Sequence, residues 1–152
     1  FAQRVTTAPV SPTGQQFHLA TKYATFIATP ATVAVDPTRT HLPENHEGPI
    51  HALFGYLFIA DKHEGLILTG AGPVIDGNPQ NNFLKRELTF NPNGLLNGAR
   101  HISIVGHFAY ICCDLGLVVL DLDTPTKPVV KSIVRSPDLK GARVSAVQFR
   151  FA

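Results

Sequence analysis

The chain has no methionine and only two cysteines in 152 residues. The two, Cys112 and Cys113, are adjacent. On a strand such neighbours point to opposite faces, and a vicinal disulfide strains the backbone. Both therefore read as small buried thiols, and they assign no redox compartment. The absence of Cys-x-x-Cys-His excludes a covalent c-type haem site within these residues. Charged residues are scarce at 16%, and thirteen basic against eleven acidic leave a net +2. With no basic run, the electrostatic footprint of a nucleic-acid binder is missing. No apolar run is long enough for a transmembrane helix, which needs about eighteen residues. No serine elbow, phosphate loop or glycine-rich nucleotide fingerprint occurs. No signal peptide is visible.

What is present is alternation. The organising stretch runs from Ala99 to Val134. Ile102 and Ile104 share a side, with Ser103 between them. After the Gly106-His107 corner, Phe108, Tyr110 and Cys112 fall on one face, and Ala109, Ile111 and Cys113 on the other. Asp114-Leu115-Gly116 reads as a tight turn, with Gly116 placed for positive φ. Leu117 to Leu122 is a short apolar run, Asp123 to Pro128 breaks the chain, and Val129 to Val134 resumes with β-branched residues. This spacing predicts four short strands joined by turns. Twelve Gly and twelve Pro suit so many turns.

The stretch also recurs. Gly98-Ala99-Arg100 returns as Gly141-Ala142-Arg143, 43 residues later, and Phe108-Ala109 then matches Phe151-Ala152 without a gap. Upstream, residues 50–61 read like 102–113, and Gly65 to Leu68 match Gly116 to Val119. The extra length between those copies falls in 74–82, which reads as a loop insertion and as the best candidate for a functional loop. A period near 43 with four strands per unit is the mark of a β-propeller blade. The expected organisation is a divergent blade or entry segment at 1–47, a blade at 48–97, a further blade at 98–140, and the start of another at 141–152. Within the first of these, residues 22–28 echo a strand core. Phe83 to Phe90 reads as the outer strand of the second, with a short helical turn possible at Asn82 to Arg86, and Asn91 to Gly94 as a turn. Natural propellers have roughly 4–8 blades, so the ring is expected to be incomplete. The expectation is a piece of a longer polypeptide, with closure by oligomerisation as the alternative.

The run Gly106-His107-Phe108-Ala109-Tyr110-Ile111-Cys112-Cys113-Asp114-Leu115-Gly116-Leu117-Val118-Val119-Leu120-Asp121-Leu122, closed by Pro125 and Pro128, resembles the LVIVD-repeat family of bacterial and archaeal propellers. The resemblance is specific in that blade and fair over 48–96. It implies an all-β propeller in an exported, periplasmic or surface protein. It carries over no catalytic residue, because the shared positions are those that build the blade.

Candidate chemistry is sparse. His41, Glu44, His46 and Glu47 gather metal-ligating types in seven residues, but in no established spacing, and a solvated loop is the plainer reading. Asp61-Lys62-His63-Glu64 holds acid and base types where a hairpin turn belongs. His18, His51, His101 and His107 lie on or beside strands, where hydrogen-bonded packing is the usual role. No catalytic or metal-binding residue is assigned, and no cofactor is expected. The leading expectation is a binding or scaffolding propeller segment, more readily a non-enzyme. Its partners would be other blades of the same polypeptide or other proteins, not nucleic acid. The alternative is the propeller part of a redox or multihaem assembly, docking cofactor-bearing domains.

Overall fold

A computed structural model describes residues 19–30, 52–71, 84–140 and 143–148. These residues form two four-stranded sheets. The first holds β1 (Ala24–Ala28), β2 (Tyr56–Asp61), β3 (Gly65–Gly70) and β4 (Lys85–Phe90), in that order. The second holds β5 (His101–Val105), β6 (Phe108–Cys113), β7 (Gly116–Asp121) and β8 (Val129–Arg135). All neighbouring strands are antiparallel. The fold is all-β, and among the described residues the two sheets do not close into a ring. Single turns of 3-10 helix occur at Ala52–Gly55, Pro92–Gly94 and Ser136–Leu139.

The second sheet follows the alternation. Ile102 and Ile104 are buried on β5, and Ala109 and Ile111 pair with them across β6. Val118 and Leu120 continue that face on β7. The β6–β7 turn has two residues, Asp114 and Leu115, and closes on Gly116 at φ 132°. A Cβ there would stand 2.2 Å from the Val134 carbonyl oxygen, so the close approach of β8 requires glycine. Gly98 is favoured for a different reason, its φ of 71°, which L side chains rarely adopt.

The first sheet corrects two expectations. Residues 50–54 were expected to take the place that 102–106 take in the later blade. Instead Ala52–Gly55 winds into a 3-10 turn that buries Leu53. The strand beside β2 is β1, with Ile27 opposite Ile59 and Ala28 opposite Phe58. Residues 22–28 therefore belong to the sheet of residues 56–90, not to a blade of their own. A periodic alignment compares neighbours along the chain, whereas this pairing joins residues some thirty positions apart. The helical turn considered at Asn82 to Arg86 is also corrected where it is described. Lys85 and Arg86 open β4, because their backbone pairs with Gly70 and Thr69 of β3. Along β4 the burial alternates, with Arg86, Leu88 and Phe90 turned inward.

The sheets share one core. Phe58, Ala60, Leu66 and Leu68 from the first pack with Ile102, Ile104, Ala109, Ile111, Val118 and Leu120 from the second. Leu53, Leu96 and Leu122, from outside the strands, belong to the same core. Fully burying one such aliphatic chain is worth about 1.5–3 kcal/mol relative to leaving it in water. The strand β3 is buried on both faces from Gly65 to Thr69, whereas β7 alternates buried with half-buried residues. Both faces of the first sheet are covered at its centre, and only one face of the second is fully covered.

Candidate functional site

The densest polar group among the described residues is the β2–β3 hairpin and the segment before β1. Asp61 is the last residue of β2 and is fully buried. Its Oδ1 accepts hydrogen bonds from the backbone N–H of His63 and Glu64, both at 2.8 Å. This side chain-to-backbone turn is the usual role of aspartate at a loop start. Its Oδ2 accepts from Tyr23 N–H at 2.6 Å, which ties β1 to the hairpin. Burial pushes the carboxyl pKa up, but the N–H donors of Tyr23, Glu64 and His63, helped by the field of His63, outweigh it and hold the pKa below the ordinary aspartate range.

Glu64 works beside it. Its Oε2 accepts from Lys22 N–H at 2.9 Å, and its Oε1 accepts from Arg86 Nη1 at 2.8 Å. Burial again raises the pKa, while the Arg86 hydrogen bond, the Lys22 N–H and the Arg86 charge bring it below its usual value. Arg86 also donates to the Ala20 carbonyl and the Thr89 hydroxyl. Lys62 lies over the Tyr23 ring, and His63 meets that ring edge-on. A general acid at neutral pH needs a raised pKa. Both carboxyls are lowered, and both hold backbone. The group fastens the 19–24 segment to the hairpin.

A second polar node surrounds Arg100. Its Nη1 donates to the Gly98 carbonyl at 2.7 Å and to Asp114 Oδ1 at 2.9 Å. Its Nη2 donates to the Cys113 carbonyl at 2.6 Å, and its Nε to the Val144 carbonyl at 3.0 Å. One guanidinium thus links the entry of β5, the β6–β7 turn and the 143–148 segment. The sequence pointed here through the repeated Gly-Ala-Arg, which served only to set the register. Arg86 and Thr25 gave no sequence signal.

The other candidates separate. His101 stacks on Phe26 at 4.3 Å between ring centres, and its Nδ1 accepts a long bond from Val147 N–H. Burial lowers its pKa, which favours the neutral ring. His107 sits in the β5–β6 turn, packed on Phe108 and 3.9 Å from Asp121. Cys112 and Cys113 are free and buried, on opposite faces of β6, and burial raises both thiol pKa values. His18, the His41–Glu47 group, His51 and the 74–82 insertion lie outside the described residues. Among the described residues, no three His, Cys, Asp or Glu side chains gather as a metal site. No helix among them is long and apolar enough to cross a membrane, which says nothing of a β-barrel.

The second sheet, with its Gly98 entry and two-residue β6–β7 turn, coincides with a known repeat: the family model described as LVIVD repeat matches residues 98–136. Residues 98–136 are an LVIVD repeat. No curated protein and no solved structure matches the chain. The LVIVD repeat spans β5 to β8 with both bounding residues pinned. At its start, Gly98 N–H donates to the Lys62 carbonyl at 2.8 Å. At its end, Ser136 N–H donates to the Leu115 carbonyl at 2.8 Å. The LVIVD repeat is therefore one sheet, entered from the hairpin of the sheet before it.

Proposed function

We propose that the chain is a non-catalytic binding or scaffolding segment of a propeller, within a larger protein that is exported or held at the cell surface. The observation that carries this reading is how the polar side chains are used. Asp61, Glu64, Arg86 and Arg100 are each joined to backbone groups of other segments. Residues of acid–base type thus act as fasteners between strands. In such a segment the sheets supply rigidity, and the loops and outer strands meet a protein partner.

Protease treatment of intact cells of the native source tests the reading. The expected result is release of peptides from this chain while cytosolic markers stay whole, with an intact native polypeptide heavier than 16.4 kDa. Recovery of the chain only from the cytosol would overturn the location. A haem absorption band on the purified native protein would overturn the scaffold role in favour of redox chemistry.

A further inference from the structure

The last strands of the two sheets, β4 and β8, hold the same place and expose different residues. Gly65 opens β3 opposite Asp61, the last residue of β2, and Gly116 opens β7 opposite Cys113, the last of β6. Counting from these glycines, Leu68 corresponds to Val119, Thr69 to Leu120 and Gly70 to Asp121. Their partners on the last strands correspond as well. Lys85 and Arg86 on β4 stand where Val129 and Val130 stand on β8. Each strand then carries one extra residue in the ladder, Glu87 on β4 and Lys131 on β8.

An edge strand is a template for another chain, and proteins commonly guard it with charge. The strand β4 is guarded. Lys85 and Glu87 pair along it at 3.2 Å, Arg86 reaches Glu64 at 2.8 Å, and Leu88 and Phe90 pack on the core. The strand β8 is not. It has seven residues, and among the described residues no strand lies beyond it. Val129 and Val130 are 55% and 38% exposed. Lys131, the charge beside them, is drawn across to Asp121 Oδ2 of β7 at 3.1 Å, away from the free edge. The other exposed large apolar residues, Tyr23, Phe26 and Ile27, lie in or just before β1, which packs beside β5. The flanks of β8 are basic. From residue 127 to 140 the chain carries Lys127, Lys131, Arg135 and Lys140, all exposed, against Asp138 alone. Asp138 is itself engaged, accepting Arg135 N–H at 3.0 Å.

We propose that the free edge of β8 accepts an extended segment of a partner protein, a strand in which β-branched and acidic residues alternate. This rests on the scaffold reading and names the partner's chemistry and the strand that receives it. The backbone of the added strand continues the hydrogen-bond ladder and supplies affinity. Its apolar side chains cover Val129 and Val130. Its carboxylates meet Lys127, Arg135 and Lys140, and opposite charges across a strand pair are stabilising. Charge also separates this occupant from a second copy of the chain, since β8 beside β8 would bring basic residues together.

The probe is a synthetic peptide as long as β8, Glu-Val-Thr-Val-Glu-Val-Asp, added to the full chain. The expected result is saturable binding with Kd below about 1 mM. Amide exchange within Val129–Arg135 should slow by at least about tenfold while that of β4 is unchanged. The same peptide N-methylated at every backbone amide cannot join a ladder and should not bind. A version with lysine at each acidic position should bind at least about tenfold more weakly. Val129→Glu together with Val130→Glu, at exposed positions, should retain the β-sheet circular dichroism and weaken binding of the acidic peptide by a similar factor. Absence of binding, or protection that falls on β1 or β4, would overturn the proposal. Equal binding of the N-methylated peptide would overturn it too, by showing an attraction of charge alone. So would concentration-dependent protection of β8 without peptide, which would give the edge to a second copy. None of these readouts depends on where the protein resides or on its absorption spectrum, so failure here is distinct from failure of the scaffold reading.

Discussion

At the scale of single residues, Thr25 and Arg100 do the same work with different means. A threonine hydroxyl has one proton, so it serves Ala60 or Ala99 at a given moment, while the guanidinium holds four acceptors at once. Asp61 is the matching acceptor hub. Asp61→Asn replaces a carboxylate facing three N–H donors with an amide that has one acceptor oxygen. The NH2 group then confronts a donor. The expected loss is about 1–3 kcal/mol in urea unfolding. The wild type should show a pH dependence from the same group. The Asp61 pKa is lower when folded than when unfolded, so its contribution is complete above the unfolded value and disappears as pH falls through the folded one. Acid titration of stability should be shallower in Asp61→Asn than in the wild type. Thr69 is the contrary case. Its hydroxyl is buried without a hydrogen-bond partner among the described residues, so Thr69→Val removes a cost and keeps the shape. Its thermal midpoint should equal or exceed that of the wild type.

At the scale of elements, the turns decide which strands can close. Gly116→Val introduces a β-branched residue at φ 132°, 2.2 Å from the Val134 carbonyl oxygen. The β7–β8 pairing must open or the turn must move. The expected destabilisation exceeds about 2 kcal/mol, measured by thermal unfolding, and an unchanged midpoint would refute this account of the turn. Gly116 was legible in the sequence because a two-residue turn between alternating runs has few solutions. The strands β5 to β8 were legible for a related reason. Each is local, and β5, β7 and the first four residues of β6 have one face much more buried than the other, so burial leaves a period of two there, while β8 shows in its β-branched residues. The first sheet was less legible. Its β3 is buried on both faces, which erases alternation, and its β1 comes from a distant part of the chain. Asp61 and Glu64 were visible as an acidic turn. That their oxygens reach Tyr23 and Lys22 follows only from that distant pairing. Arg86 was hidden because an arginine on an outer strand looks like any solvent-facing charge until its partner strand is known.

For the whole molecule, the two sheets are equivalent in topology and unequal in burial. Leu68 and Val119 occupy the same position of the repeat, as their pairing with Phe58 and Tyr110 shows. Leu68 is sealed between the sheets, and Val119 is half-buried on the far side of the second. Truncation at the two sites therefore reads the packing rather than the local sequence. Leu68→Ala leaves a cavity in the shared core and should cost about 2–5 kcal/mol. Val119→Ala leaves no closed cavity, because solvent reaches one side. Its cost should stay near the transfer value of the lost methyl groups, about 1–1.5 kcal/mol. Leu68 lies in the core between the sheets and Val119 on the other face of the second sheet, so their effects should add in the double variant within about 0.5 kcal/mol. Urea unfolding of the two single variants and the double decides the matter. A Val119→Ala loss as large as that of Leu68→Ala would mean that the second sheet is covered on both faces, as the first is. A small loss fixes the asymmetry, with a repeat that is closed on one side and able to accept a neighbour on the other.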